Sequence, residues 1–139
     1  DTLSGSVNVT KLPGINPSRI AFTPNGKKAY VGSRRGTAPT PDINDNLVVV
    51  LNADPTSQGF NQEIGRVLVG RAASSRPGLL VSGSGKFVFV ANAVPAAGAA
   101  PAETTLSVIN TDRDTVVATI PLDGIPGNMG IVRVEEHGH

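Results

Sequence analysis

The sequence contains no cysteine and no tryptophan, only two histidines and few aromatic residues. Without cysteine, disulfide bonds, thiolate catalysis and Cys-ligated metals are excluded. Both histidines stand in the last three positions, so no Ser-His-Asp set can be assembled from them. One Tyr, four Phe and a net charge of +1 offer neither stacking surfaces nor a general attraction for nucleic acid, so no nucleic-acid partner is expected. No apolar run reaches the roughly 18 residues of a membrane-spanning helix.

What the sequence does contain is turn formers and β-branched residues. Its 139 residues include 16 Gly and 11 Pro, together with 17 Val, 8 Ile and 11 Thr. This mixture is typical of short strands joined by tight turns. No helix-length stretch shows 3.6-residue periodicity without Gly or Pro inside it. We therefore predict an all-β fold of about ten strands.

Two stretches of the chain match each other in register. The shared features are a turn glycine, an aromatic strand and the most apolar strand. At an offset of 59 residues the matched segments are Gly26-Lys27 with Gly85-Lys86, Tyr30-Val31 with Phe89-Val90, and Leu47–Val50 with Leu106–Ile109. The offset then falls to 53, which places Val67 on Ile120, and at that spacing Gly138 follows Gly85 as a third turn glycine. We expect Gly26, Gly85 and Gly138 to take a positive φ in these turns.

Four antiparallel strands in each copy predict the blades of a β-propeller. We assign residues 15–70 and 71–124 to two blades, residues 1–14 to the last strand of a preceding blade, and residues 125–139 to the first strand of a further one. About two and a half blades is too few to close a ring. We therefore expect this chain to be part of a larger propeller, whose open blade faces invite association.

The motifs in these copies resemble the YVTN-type β-propeller repeats of surface-layer and periplasmic proteins. The turn Thr23–Lys27, the strand Ala29–Gly32 and the segments Leu106–Thr111 and Thr115–Ile120 carry the resemblance. Asn25, Ser84 and Gly32-Ser33 depart from the family pattern. The resemblance implies a periplasmic or extracellular location. Relatives of this propeller type include lactonase-like proteins and the propeller domains of periplasmic oxidoreductases.

Two functions follow as hypotheses. The first is a non-enzymatic binding or scaffold module that acts through long loops on one face of the propeller. Its partners would be other propeller blades, of the same or another chain, and a protein or a small anionic ligand. The alternative is the propeller part of an exported enzyme, lactonase-like or a haem, quinone or copper oxidoreductase, with its catalytic groups outside this segment. No catalytic residue is assigned.

Arginines supply the main candidate binding site. Arg34 and Arg35 stand at the start of the long loop after the second strand, and Arg19, Arg71 and Arg76 precede first strands in loops expected on the same face. Guanidinium groups suit carboxylate, phosphate or sugar-acid ligands. The competing interpretation is ordinary solvated loop charge.

Two clusters have the composition of metal sites. The alternating oxygen ligands of Asp42, Asn44 and Asn46 are typical of a calcium loop, but its glycine and its twelfth acidic residue are missing. No cofactor is predicted from this incomplete pattern; calcium is the ion it would suit, and the alternative is a polar end to the third strand. The terminal cluster Glu135–His139 has zinc or copper ligands, yet in the repeat register it falls on a solvent-facing turn. Asn52, Asp54, Asn110 and Asp112 are expected to cap turn amides.

Overall fold

The computed structural model describes residues 15–35, 44–72, 78–94, 98–99 and 101–123. These ranges contain eight strands and no helix, which confirms the predicted all-β class. The strands are β1 Ile15–Phe22, β2 Lys28–Arg35, β3 Asn44–Asn52, β4 Glu63–Ala72, β5 Gly78–Val81, β6 Phe87–Val94, β7 Glu103–Asn110 and β8 Thr115–Pro121. The outer strands predicted within residues 1–14 and 125–139 lie outside the described residues.

The strands form two separate four-stranded sheets. The first has the order β1-β2-β3-β4 and the second β5-β6-β7-β8, and every neighbouring pair is antiparallel. Each sheet is therefore a simple meander in which consecutive strands are neighbours. This arrangement gives each sheet two distinct ends. We call the end where β2 and β4 finish the loop end, and the opposite one the hairpin end.

The hairpin end is made of tight turns whose residues correspond in the two sheets. Gly26 and Gly85 have φ values of +72° and +74°, a conformation that a Cβ disfavours. The amide of Gly26 donates to the carbonyl of Thr23 at 2.8 Å, and that of Gly85 donates to the carbonyl of Ser82 at 2.9 Å. The hydroxyls of Thr23 and Ser82 in turn accept hydrogen bonds from the first amide of the following strand, that of Lys28 in β2 and that of Phe87 in β6. The two turns are thus built by the same hydrogen bonds.

The turn between the third and fourth strands uses side-chain caps in both sheets. Oδ1 of Asn52 accepts a hydrogen bond from the amide of Asp54, and Oδ1 of Asp54 accepts one from the amide of Thr56. Asn110 likewise accepts the amides of Asp112 and Arg113. The expected capping role is therefore confirmed for Asn52, Asp54 and Asn110. Among the described residues, the Asp112 side chain accepts no such hydrogen bond; its own amide is the donor to Asn110.

The core lies between the two sheets. Alternation along the strands directs one set of apolar side chains of each sheet toward the other sheet, and we call these the inner faces. The buried members are Tyr30, Val48, Val50 and Val67 from the first sheet and Val88, Val90 and Ile109 from the second. Val69, Leu79, Val81 and Val116 pack against them at the margin. This core is aliphatic apart from a single aromatic ring, as the composition requires.

The opposite faces, which we call the outer faces, are also apolar. On the first sheet the strand register groups Ile20, Phe22, Val31, Leu47, Val49 and Leu68 on this side. On the second it groups Phe87, Phe89, Leu106, Val108 and Ile120. Phe22 is 58% exposed and Ile120 is 44% exposed, whereas Val31, Leu47 and Val49 at the centre of the first sheet's outer face form a second buried cluster. An isolated two-layer sandwich normally has polar residues on its outer faces, so these faces need a separate explanation.

Strand pairing corrects one detail of the predicted repeat. Tyr30 pairs with Val50, and its counterpart Phe89 pairs with Val108, so the third strands correspond at an offset of 58 and not 59. The predicted match of Leu47–Val50 to Leu106–Ile109 is therefore wrong by one residue. The difference is important because side chains alternate along a pleated strand, so a one-residue error in the offset assigns every side chain of the third strand to the wrong face.

The fourth strands correspond at 53 residues. Val67 lies opposite Val48, and Ile120 lies opposite Leu106. Both sheets also have a register irregularity at the equivalent place, between Val50 and Leu51 in one and between Val108 and Ile109 in the other. The correspondence therefore extends to a bulge in the ladder.

Candidate functional site

The loop end gathers three of the five candidate arginines by backbone position. Arg34 and Arg35 are the last two residues of β2, and Arg71 lies near the end of β4. The register places Arg34 opposite Asn46 and Arg71 opposite Asp45. The antiparallel meander brings these ends together, since β2 and β4 run in the same direction.

Two predicted loop positions are corrected. Arg19 lies inside β1, opposite Gly32, and not in a loop before the first strand. Arg19 is exposed, and it borders the outer face of the first sheet next to Ile20. Arg71 also lies inside a strand, because β4 extends to Ala72. Arg76 falls outside the described residues.

The three residues of the predicted calcium loop, Asp42, Asn44 and Asn46, do not form one site among the described residues. Asp42 lies outside the described residues, and Asn44 is the first residue of β3. Asn46 is buried on the inner face, where its Nδ2 donates to Oδ1 of Asn92 at 2.8 Å. Its amide therefore joins the two sheets. Among the residues that the structure describes, no three His, Asp or Glu side chains are grouped to hold a metal ion, and the terminal cluster and Gly138 lie beyond them.

Asn92 is the centre of a polar network in the sheet interface near the loop end. Its Nδ2 donates to Ser107 Oγ at 3.0 Å, and that hydroxyl donates to the carbonyl of Val69 at 3.1 Å. Gly70 lies so close that a Cβ there would be 2.7 Å from Asn92 Nδ2. Because buried polar groups need partners, this network fixes how the two sheets align.

Three buried polar atoms of the described residues have no hydrogen-bond partner: Oδ1 of Asn46, Oγ of Ser33 and Oγ1 of Thr104. Asn46 lies in the interface just described. The other two belong to the outer faces, Ser33 on the first sheet opposite Leu47 and Thr104 on the second opposite Ala93. A buried hydroxyl without a partner costs about 1–3 kcal/mol, so its position calls for an explanation.

A second polar cluster joins the sheets at the hairpin end. Asp114 accepts hydrogen bonds from the Tyr30 hydroxyl at 2.7 Å and from Lys28 Nζ at 2.9 Å. Lys28 also donates to the carbonyl of Thr111 at 2.7 Å. Asp114 has a φ of +52°, a conformation that Asp tolerates better than most residues. Burial and the neighbouring Asp114 carboxylate raise the pKa of Tyr30 well above its ordinary value.

The sequence did not indicate this cluster. The one sequence feature that could have pointed to the cluster is a difference between the two copies: Tyr30 is replaced by Phe89 and Lys28 by Phe87 in the second copy. The hydroxyl and the ammonium are the groups that reach Asp114. An open cavity of about 460 Å³ lies beside the cluster, between the two hairpin turns, and Lys27, Lys28 and Lys86 line it together with Asp112. The sequence itself indicates Gly26-Lys27 and Gly85-Lys86 only as turn residues.

The geometry defines the class as an all-β protein of two stacked, corresponding four-stranded sheets. Comparison with protein-family models, with curated proteins and with solved structures gave no match. The described part of the chain has no long apolar helix of membrane-spanning length.

Proposed function

We propose that this chain is a segment of a β-propeller that serves as a non-enzymatic, exported binding or scaffold module. The observation that carries the proposal is the correspondence between the outer and inner faces. Each sheet has four antiparallel strands in meander order, as a propeller blade has. The YVTN-type motifs in the turns and strands support the same assignment, and with it a periplasmic or extracellular location. Recovery of the native protein from the cytoplasmic fraction would contradict that location.

The outer face of the second sheet repeats the inner face of the first. The corresponding pairs are Phe89 for Tyr30, Leu106 for Val48, Val108 for Val50 and Ile120 for Val67. In the first sheet these positions are buried against a neighbouring sheet. A face with the same pattern is suited to bury against a further sheet, because apolar area removed from water stabilises the contact.

The outer face of the first sheet repeats the inner face of the second in the same way. Ile20 corresponds to Leu79, Phe22 to Val81 and Val31 to Val90. The two outer faces of the pair therefore have complementary apolar patterns, each equivalent to one side of the contact that joins the two sheets. Sheets with this property stack in series, and stacking around an axis produces a propeller.

In such an arrangement the long connections lie at one end of every sheet. Arg34, Arg35 and Arg71 occupy that end in the first sheet. Planar guanidinium groups bind carboxylate and phosphate through paired hydrogen bonds. We assign the loop end to recognition of a small anionic ligand or an acidic segment of a protein.

The test is an NMR titration of the chain with phosphate, succinate and glucuronic acid as separate probes. We expect amide shifts at residues 33–35 and 71–72, and about ten-fold weaker binding in the R34A/R35A double variant. The matched control is K27A/K86A, which removes two positive charges at the hairpin end and should change binding less than about two-fold. Equal losses in the two variants, or no shifts at the loop end, would contradict the assignment.

A further inference from the structure

We propose that the open cavity between the two hairpin turns binds hydrogen phosphate. This site goes beyond the anion recognition assigned to the loop end, because it lies at the opposite end of the sheets. The cavity has a volume of about 460 Å³, and residues of the turn around Gly26 and of the turn around Gly85 line it. That volume is within the range of cavities that hold small ligands.

Two lysines at this cavity have no anionic partner. Lys27 and Lys86 occupy equivalent positions in the two turns, directly after the glycines of positive φ, and both line the cavity. Neither lysine forms an ion pair with any other residue that the structure describes. Two unpaired positive charges at one concave surface attract an anion into it, because their potentials add there.

Lys28 contributes a third ammonium group, and its position is fixed. Its Nζ donates to Asp114 Oδ2 at 2.9 Å and to the carbonyl of Thr111 at 2.7 Å. An ammonium group has three N–H donors, so one of them remains for a ligand in the cavity, which Lys28 also lines. Asp114 holds this arrangement at a φ of +52°, and backbone conformations of this kind are found at ligand sites, where the surrounding structure fixes them.

Asn25 adds an uncharged donor to the same lining. Its Oδ1 accepts hydrogen bonds from the Thr23 hydroxyl at 2.7 Å and from the Lys27 amide at 3.0 Å. These bonds orient the side-chain amide, and its Nδ2 donates to no other group in the described ranges. Ammonium groups bind phosphate as compact point charges, without the planar match that a guanidinium group requires. The donors of the cavity therefore suit a tetrahedral oxyanion.

Asp112 determines which tetrahedral oxyanion fits. Its carboxylate lines the same cavity and is exposed there. An ionised carboxylate only accepts hydrogen bonds, so it repels an anion that has no proton to donate. Sulfate has no proton at neutral pH, whereas hydrogen phosphate has an O–H group that donates to Asp112. A phosphate monoester is largely the unprotonated dianion near neutral pH, so it is disfavoured as sulfate is.

The test is an NMR titration at neutral pH with inorganic phosphate, sulfate, O-phosphoserine and acetate as separate probes, at low ionic strength because salt screens exposed charges. We expect amide shifts at residues 25–28, 84–86 and 111–112, and about ten-fold tighter binding of phosphate than of sulfate. K27A/K86A should weaken phosphate binding at these residues by at least about ten-fold. R34A/R35A is the matched control, since it removes two positive charges at the loop end and should leave the hairpin-end shifts unchanged.

Asp112→Asn separates this recognition from simple charge attraction. The new amide would donate to either oxyanion, so sulfate binding should strengthen about ten-fold and the preference for phosphate should largely disappear. Equal binding of phosphate and sulfate by the wild type, an unchanged preference in D112N, or equal shifts with acetate would overturn the proposal. Circular dichroism checks the fold of each variant. Phosphate shifts at residues 33–35 and 71–72 report on the loop end separately, so the two assignments fail independently.

Discussion

The contact of Asp114 with Tyr30 and Lys28 makes a quantitative prediction about stability. Replacing Asp114 with Ala removes two charge-assisted hydrogen bonds across the sheet interface, at 2.7 and 2.9 Å. Such bonds contribute about 1.5–3 kcal/mol each when buried. The Lys28 and Asp114 side chains are 27% and 21% exposed, so their ion pair is partly screened and contributes less than a buried one.

The expected free-energy loss for Asp114→Ala is therefore about 3 kcal/mol, including about 1 kcal/mol for placing Ala at positive φ. Asp114→Asn separates these effects, because Asn tolerates that φ and still accepts from Tyr30, and it should cost about 1 kcal/mol. Tyr30→Phe should cost about 1.5 kcal/mol, and the double variant with Asp114→Asn should cost less than the sum. Urea unfolding followed by far-UV circular dichroism measures all four. An Asp114→Ala variant within about 0.5 kcal/mol of wild type would refute the reasoning.

The same contact predicts a pH dependence with a definite sign. The pKa of Tyr30 is raised in the folded chain, first by burial and then by Asp114. Its contribution to stability is therefore complete below the unfolded value of about 10 and is lost as the pH rises above it, at about 1.4 kcal/mol per pH unit. Tyr30 is the only tyrosine and there is no tryptophan, so tyrosinate absorbance reports on this group alone. A native titration step near pH 10 would contradict the buried hydrogen bond.

Four further changes test other parts of the structure by urea unfolding. Gly26→Ala should cost about 1 kcal/mol through its positive φ alone, and Gly85→Ala should cost more, because its Cβ would also lie 3.1 Å from a Pro24 ring carbon; equal costs would contradict the role of that contact. Asn92→Ala should cost about 2–4 kcal/mol by leaving its interface partners unpaired, and a loss below 1 kcal/mol would show that the network is dispensable. Thr104→Val should stabilise the isolated chain by about 1 kcal/mol, because it removes a buried hydroxyl without a partner, and a destabilised variant would imply that this hydroxyl is satisfied.

The local pattern of the sequence was sufficient for the fold class and for the turns. Alternating and continuous runs of β-branched residues predicted strands, since their side chains fit a pleated sheet. Gly26 and Gly85 were expected at positive φ and have it, because a tight turn of this kind excludes a Cβ. Asn52 and Asn110 cap turn amides as expected, since an Asn side chain reaches the amide two residues ahead. These features depend on neighbours within about five residues, which a sequence displays directly.

The arrangement of the sheets needed the tertiary structure. Pairing across strands decided that Val50 corresponds to Val108, a one-residue difference that apolar runs cannot resolve because neighbouring positions look alike. It also placed Asn46 in the interface with Asn92, although its local sequence is typical of a calcium loop. The contact of Tyr30 with Asp114 joins residues 84 positions apart and has no local signature. The sequence by itself determined the strands, the turns and the approximate repeat. Only the tertiary structure decided which faces meet and which polar groups are left without a partner, because both depend on contacts between residues far apart in the chain.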